Sequence, residues 1–205
     1  MTAYQNFSQA FSRRCIKLLE KAANHDDFDE RRVTWLLMAA ASAFVMPFER
    51  LKLTPDGDAL HPFGQNEQLY KLAATLERTM KEHFTESAFS SSLNPSWMIK
   101  KKIPDVSGDV DGWLPDANVK PIAHDKRVSS IFKHLRNALA HGNVHAKGSP
   151  KISHLVFVQS HFSGPDSPTD SFDVLVTTVD DFEFLLKKWL KYLAHENVWE
   201  LRLVA

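Results

Sequence analysis

Three polar side chains with complementary chemistry lie within six residues of one another: Arg136, Asn137 and His141. An imidazole transfers protons near neutral pH. A guanidinium neutralises the extra negative charge of a phosphorane, and a carboxamide can orient either of the other two groups. The set predicts a site for the cleavage of phosphodiester bonds.

The spacing of these residues predicts how one helix would present them. On an ideal helix, five residues at about 100° each put Arg136 and His141 roughly 140° apart. Asn137 and His141 are four residues apart and are therefore neighbours on the helix surface. In a homodimer, two copies of this helix related by a two-fold axis could present two Arg and two His to one cleft.

Further polar residues of the same segment are candidate substrate contacts. Lys133 and His134 are expected to lie off the apolar face of the helix, and Lys126 and Arg127 precede it. Basic side chains in such a row are typical of a track for phosphate groups. The apolar face itself is predicted to consist of Ile131, Phe132, Leu135, Ala138 and Leu139.

A metal site is the alternative role for the histidines here. His141 and His145 have the spacing of two metal ligands on one helix. Gly142 would end the helix between them, and no third ligand has a clear spacing. We therefore expect no metal and no cofactor.

The basic run of residues 100–102, with the nearby Trp97, allows two interpretations. A base of a nucleic-acid strand could stack on the indole beside the lysines. The lysines could instead form a solvated run beside a buried Trp, which is the simpler interpretation.

The pattern of apolar residues predicts a mainly α fold, a bundle of four to five helices with a β-hairpin inserted before the last helix. The predicted helices cover residues 4–24, 30–53, 66–87 and 125–141, and a last one starts at residue 180. An Asp-x-x-Glu capping box from Asp180 to Glu183 is expected to begin that last helix. Residues 95–121 are rich in Pro, Gly and Asp and are predicted to be a long irregular loop, and residues 151–179 the hairpin.

Length and composition bound the class of protein. The 205 residues fit one domain, which we take to be residues 1–205. The 25 basic and 25 acidic residues give a net charge of zero, which excludes a polybasic protein that holds nucleic acid by bulk charge. The N-terminal residues lack the pattern of a secretory signal, and the longest apolar run is too short to span a bilayer. We expect a cytoplasmic protein without a membrane contact.

The string Arg136-Asn137-x-x-x-His141 at the end of a helix resembles the Arg-x(4–6)-His signature of the HEPN superfamily (higher eukaryotes and prokaryotes nucleotide-binding). The Asn directly after the Arg is also the usual residue there. The wider string from Leu135 to Asn143, followed by a hairpin and an amphipathic helix, resembles a plasmid-encoded bacterial branch of that superfamily.

The resemblance implies a helical domain that dimerises, with a cleft where the two motifs meet. Many members are metal-independent endoribonucleases, in which the 2′-OH of RNA attacks the adjacent phosphate. Carried over to this chain, His141 would be the general base or acid, Arg136 the phosphate clamp and Asn137 the orienting group. The resemblance also implies a toxin or a defence or stress effector, with an antitoxin or another partner protein. Other members are non-catalytic binding modules, which is the alternative function.

Overall fold

The computed structural model of the chain describes residues 7–23, 28–50, 67–90, 96–103, 120–121, 126–149, 151–162 and 169–194. These ranges form five α-helices, five β-strands and one short 3₁₀ helix. The helices are α1 (Phe7–Ala23), α2 (Phe28–Arg50), α3 (Glu67–Met80), α4 (Val128–His141) and α5 (Val179–Leu193), with the 3₁₀ helix over Phe84–Glu86. The strands are β1 (Met98–Ile103), β2 (Lys120–Pro121), β3 (Val144–Lys147), β4 (His154–Phe162) and β5 (Thr169–Thr178).

The five strands form one antiparallel sheet in the order β2-β1-β5-β4-β3. β4 and β5 are the two strands of the predicted 151–179 hairpin, and they pair over nine residues from His154↔Thr178 to Phe162↔Thr169. β3 adds to the free edge of β4, and β1 adds to the free edge of β5. The hairpin is therefore the centre of the sheet.

The predicted fold class is wrong, because the chain has a mixed α/β fold in which the sheet is a full layer. Part of the predicted irregular segment, Met98–Ile103, is strand β1, and β3 follows α4 directly. β1 lacks the alternation of apolar and polar residues that identifies a half-buried strand, since it carries three consecutive lysines, and β3 is only four residues long. The pairing of β1 with β5 joins segments that are distant in the chain, whereas β3 and β4 form a local hairpin. Residues 104–119 and 163–168, in the predicted loop and the predicted hairpin turn, lie outside the described residues.

The main core lies between the helices and one face of the sheet. Phe157 and Leu175 point from the sheet into this core, and Phe157 packs against Phe182 of α5 at a centroid distance of 5.1 Å. Aromatic side chains fill its centre, with Phe132 of α4 and Trp189 of α5 at a centroid distance of 5.0 Å. On the other face of the sheet, a smaller cluster contains Val156, Val158, Val174 and Val176. Alternate residues of β4 and β5 therefore point to opposite faces, as a strand requires.

The first residues of α5 differ from the predicted capping box. Thr178, not Asp180, is the N-cap, and its hydroxyl accepts a hydrogen bond from the backbone N–H of Asp181 at 3.2 Å. Asp181 accepts from the backbone N–H of Ser96 at 2.7 Å, and Glu183 accepts from Arg32 Nε of α2 at 2.8 Å. The acidic residues of this turn thus connect α5 to neighbouring elements.

The chain's single cysteine, Cys15, is buried in the main core on α1. Burial raises the pKa of its thiol. Among the described residues, no helix is both long enough and apolar enough to cross a membrane.

Candidate functional site

The first turn of α4 is fixed by backbone hydrogen bonds to the segment that follows α3. The N–H of Phe84 donates to the carbonyl of Lys126 at 2.7 Å, and the N–H of Val128 donates to the carbonyl of Glu82 at 3.0 Å. The helix then buries one apolar stripe against α2 and β4. That stripe consists of Val128, Ile131, Phe132, Leu135 and Ala138.

The last turn of α4 is fixed as firmly as the first. Gly142 adopts a left-handed conformation (φ 69°, ψ 17°), and its N–H donates to the carbonyl of Leu139 at 3.4 Å. The N–H of Asn143 donates to the carbonyl of Ala138 at 2.8 Å, which completes a Schellman motif. The carbonyl of Asn143 accepts from the N–H of Val158 at 2.9 Å. The end of the helix is therefore bonded to the sheet.

Asn137 orients the guanidinium of Arg136. Its side-chain oxygen accepts from Arg136 Nη2 at 2.7 Å and from Arg136 Nε at 3.1 Å. Both side chains are half-buried, with Arg136 at the edge of the apolar stripe, four residues after Phe132, and Asn137 on the opposite side of α4. The carboxamide fixes the plane of the guanidinium, and a planar guanidinium recognises phosphate oxygens in a defined geometry. The sequence allowed Asn137 to orient either Arg136 or His141, and in the structure its side chain contacts Arg136.

His141 is the last residue of α4, and its side chain is exposed. Among the described residues, none makes a hydrogen bond or an ion pair with its imidazole. The geometry of the helix keeps it about 140° around the axis from Arg136. An exposed imidazole on a fixed helix end has the access to solvent that proton transfer requires.

His134 does not belong to a substrate surface, which corrects both its predicted place off the apolar face and its predicted role. It is 5% exposed, and its Nε2 is 2.8 Å from the carbonyl oxygen of Phe157. Burial lowers the pKa of the His134 imidazole from its ordinary value of 6.5, and the Phe157 carbonyl and the charge of Asp173 oppose this only in part. The physical reason is that α4 packs on β4 along this side, so the imidazole pairs with a backbone carbonyl.

The predicted basic contacts lie along α4 rather than at one point. Lys133 is exposed one turn before Asn137, and Arg127 is exposed at the N-cap. Lys126, half-buried, immediately precedes Arg127. At 1.5 Å per residue, the backbone of Arg127 is about 14 Å from that of Arg136 along the helix axis. The structure thus brings Arg136 and Asn137 into contact and leaves Lys126 and Arg127 at the other end of the helix.

Trp97 is a core residue, and the simpler interpretation of the 97–102 segment holds for it. The indole is 1% exposed and packs edge-on against Phe84 at a centroid distance of 5.4 Å. No base can stack on it in this position. In the described parts of the chain, no three side chains of His, Cys, Asp or Glu are grouped so that they could hold a metal ion.

The fold brings together one pair of titratable residues that no sequence pattern indicates. His161 of β4 and Asp173 of β5 form a contact of 3.1 Å between Nε2 and Oδ2. Side chains alternate between the two faces of a strand, so His161 shares the face of Phe157 on β4 and Asp173 shares the face of Leu175 on β5. The missing information was the register of the two strands, which a sequence does not specify for a hairpin with a loop of this length.

Comparison with known families gives one match. The family described as HEPN pEK499 p136 matches residues 1–199 of the chain. Comparisons with curated proteins and with solved structures gave no match. The match covers nearly the whole chain and includes Arg136, Asn137 and His141. The chain therefore belongs to the HEPN pEK499 p136 family, a plasmid-associated family of the HEPN superfamily.

Proposed function

We propose that this protein is a metal-independent endoribonuclease of the HEPN type that acts as a homodimer. The observation that carries the proposal is the contact between Arg136 and Asn137, with the exposed His141 one turn further along α4. In the proposed reaction, the 2′-OH of RNA attacks the adjacent phosphate. His141 transfers a proton, and Arg136 stabilises the charge that develops on the phosphate oxygens.

The homodimer is part of the proposal because of the angle between the two residues. One helix does not direct Arg136 and His141 to the same phosphate, since they are about 140° apart. A two-fold axis beside α4 would bring the Arg136 of one protomer toward the His141 of the other. Exposed residues with small side chains on α4, such as Ser130 and Ala140, would allow two helices to approach closely.

The test is cleavage of a labelled single-stranded RNA in the presence of EDTA. We expect cleavage by the wild type, with a 2′,3′-cyclic phosphate on the product, and no cleavage of the same strand with 2′-deoxy sugars. His141→Ala should lower kcat/KM by a factor of about 10²–10⁴, the range for loss of a general acid or base. Arg136→Ala should lower it by about 10²–10³.

Two variants serve as controls, one for the loss of an arginine charge and one for the loss of an imidazole outside the proposed site. Arg13→Ala removes an exposed arginine from α1, and His154→Ala removes a histidine from the other end of β4. Both should cleave as the wild type does. Loss of activity in EDTA would contradict the metal-free mechanism, and full activity of His141→Ala would contradict the assignment of the site.

A non-catalytic binding module is the second candidate, and the same angle favours it if the protein is a monomer. In that case, Arg136 and His141 would serve separate contacts. A monomeric protein that binds RNA without cleaving it would establish this function.

The biological role that we propose is that of a toxin or a defence or stress effector with a partner protein that restrains it. This rests on the family alone. Induced expression should arrest growth with the wild type and not with His141→Ala. Growth arrest by both would show that RNA cleavage is not the cause.

A further inference from the structure

His161 and Asp173 form a pair whose geometry is fixed by the sheet. Asp173 Oδ2 is 3.1 Å from His161 Nε2, and Asp173 Oδ1 accepts from the backbone N–H of Lys102 at 3.0 Å. The carboxylate therefore links three strands, β1, β4 and β5. The side chain of His161 is 43% exposed and that of Asp173 is 17% exposed, so the imidazole reaches solvent while the carboxylate is mostly covered.

The backbone at Lys102 is strained, and its hydrogen bond to Asp173 helps to hold it in that conformation. Lys102 has a φ of 55°, and it is the only residue other than glycine with a positive φ in the described ranges. The register of β1 against β5 shifts between Lys100 and Ile103, so Lys102 lies in a β-bulge. Strained backbone persists where the surroundings determine it, and it is concentrated at functional sites. Here, the strained residue presents its N–H to Asp173.

The pair lies on the same side of the sheet as α4. His161 lies on the same face of β4 as Phe157, and Asp173 lies on the same face of β5 as Leu175. Phe157 and Leu175 point into the helical core. β3 begins opposite Phe157, so the part of β4 that carries His161 extends past β3. The bond from Val158 N–H to the Asn143 carbonyl joins the first residue of this part of β4 to the segment that ends α4.

His141 lies on the same side of α4 as His134, which packs on β4. His141 is seven residues after His134, which on a helix is about 20° around the axis and about 10 Å along it. The imidazole of His134 contacts the carbonyl of Phe157, and the charges of both Asp173 and His161 act on it. His141 therefore continues the side of α4 whose buried part, at His134, packs on the strand that carries His161.

We propose that His161, positioned by Asp173, is the second proton-transfer residue of the RNA site, in the same protomer as His141. This inference rests on the proposed endoribonuclease function. The 2′-oxygen forms a bond to phosphorus, and its proton passes to the neutral imidazole of His141. The bond between phosphorus and the 5′-oxygen breaks, and the imidazolium of His161 gives its proton to that oxygen. The contact of Asp173 Oδ2 with His161 Nε2 fixes the orientation of the imidazole that gives this proton.

The test compares two substrates that differ only in the need for an acid. One is a single-stranded RNA with its normal 5′-oxygen at the mapped cleavage site, and the other has a 5′-bridging sulfur there. A thiolate leaves without a proton, so only the first substrate requires a general acid. The variants are His161→Gln and Asp173→Asn, with His154→Gln as the matched control on the same strand.

We expect His161→Gln to lower kcat/KM at least 100-fold on the oxygen RNA and less than 10-fold on the sulfur RNA. Asp173→Asn should show the same pattern with a smaller loss, because it acts through His161. His154→Gln should cleave both substrates as the wild type does. Equal losses of His161→Gln on both substrates, or no loss, would overturn the inference.

The failure of this inference is distinguishable from the failure of the proposed function. If His141→Ala is inactive while His161→Gln cleaves normally, the endoribonuclease stands and its acid is another group. If the wild type cleaves neither substrate, the proposed function fails and the role of His161 fails with it. Circular dichroism and thermal unfolding of each variant establish that a loss of cleavage is not a loss of fold.

Discussion

Two histidines of α4 show how one residue type takes two roles on one helix. His134 and His141 lie on nearly the same stripe, but His134 is covered by the sheet and bonded to the Phe157 carbonyl, whereas His141 is beyond the covered part. A buried neutral imidazole with a carbonyl partner supports the structure, and an exposed imidazole is available for chemistry. The sequence could identify both residues but not separate them, because the strand that covers His134 comes from 23 residues further along the chain.

The pKa of His134 gives the stability of the protein a dependence on pH. Burial lowers the pKa of this imidazole in the folded state from its ordinary value of 6.5. As the pH falls below that value, the unfolded state binds a proton that the folded state does not, so the free energy of unfolding decreases. Urea unfolding of the wild type from pH 8 to pH 5 should show this decrease.

His134→Gln is the variant that tests the origin of that dependence, because Gln keeps an N–H donor and does not titrate. Its free energy of unfolding should decrease less than that of the wild type between pH 7 and pH 5. At pH 8, where His134 is neutral in both states, the comparison of the two proteins measures the packing change alone. The same decrease in both proteins would show that His134 is not responsible.

The elements differ in how completely the sequence specifies them. The helices were predictable because apolar residues at helical spacing must face a core, and Phe182, Leu185, Leu186 and Trp189 of α5 do so. The β4–β5 hairpin was also predicted, but β1 and β3 were not, because β1 pairs with a strand distant in the chain and β3 is too short to show a clear pattern. The N-cap of α5 at Thr178 was missed because several polar residues in succession could each fill that role.

Two glycines, Gly142 and Gly148, flank β3, and substitution by Ala should lower the free energy of unfolding by different amounts at the two positions. Gly142 has a φ of 69°, and a Cβ there would meet nothing within 4 Å. Gly142→Ala should therefore cost about 1 kcal/mol, the cost of the left-handed backbone alone. Gly148 has a φ of 130°, and a Cβ there would be 2.2 Å from the carbonyl oxygen of Lys151.

Gly148→Ala should be clearly more destabilising than Gly142→Ala, because the turn between β3 and β4 would have to move. Urea unfolding of the two variants and the wild type measures the difference. Equal costs would mean that the turn relaxes freely. Gly142→Asn is a useful third variant, since Asn tolerates the left-handed region better than Ala does.

At the scale of the whole molecule, a net charge of zero coexists with a basic helix surface. α4 carries Lys133 and Arg136, with Arg127 at its N-cap, and it contains no acidic residue, whereas the start of α5 carries Asp180, Asp181 and Glu183. The net charge excluded only binding by bulk charge. The arrangement along α4 was partly predictable, since periodicity assigns the outer side, but the contact between neighbouring Arg136 and Asn137 was not.

The dependence of RNA binding on salt should report this local footprint. Each phosphate contact contributes about −0.7 to the slope of log K against log salt for a single strand, so a few contacts give a shallow slope. Lys133→Gln should reduce the magnitude of the slope by about 0.7, the value of one contact. Lys17→Gln, which removes the same charge from an exposed site on α1, should leave the slope unchanged. Equal effects of the two variants would indicate binding by overall charge.

The burial of Cys15 has a practical consequence for locating the proposed two-fold axis. The chain has a single thiol, and it lies in the core with a raised pKa, so alkylating and oxidising reagents attack it slowly. The wild-type protein can therefore be handled as one without a reactive cysteine. A cysteine engineered at the exposed Ala140 would be the one fast-reacting thiol, and spin labels or disulfide cross-links placed there would report directly on the distance between two copies of α4.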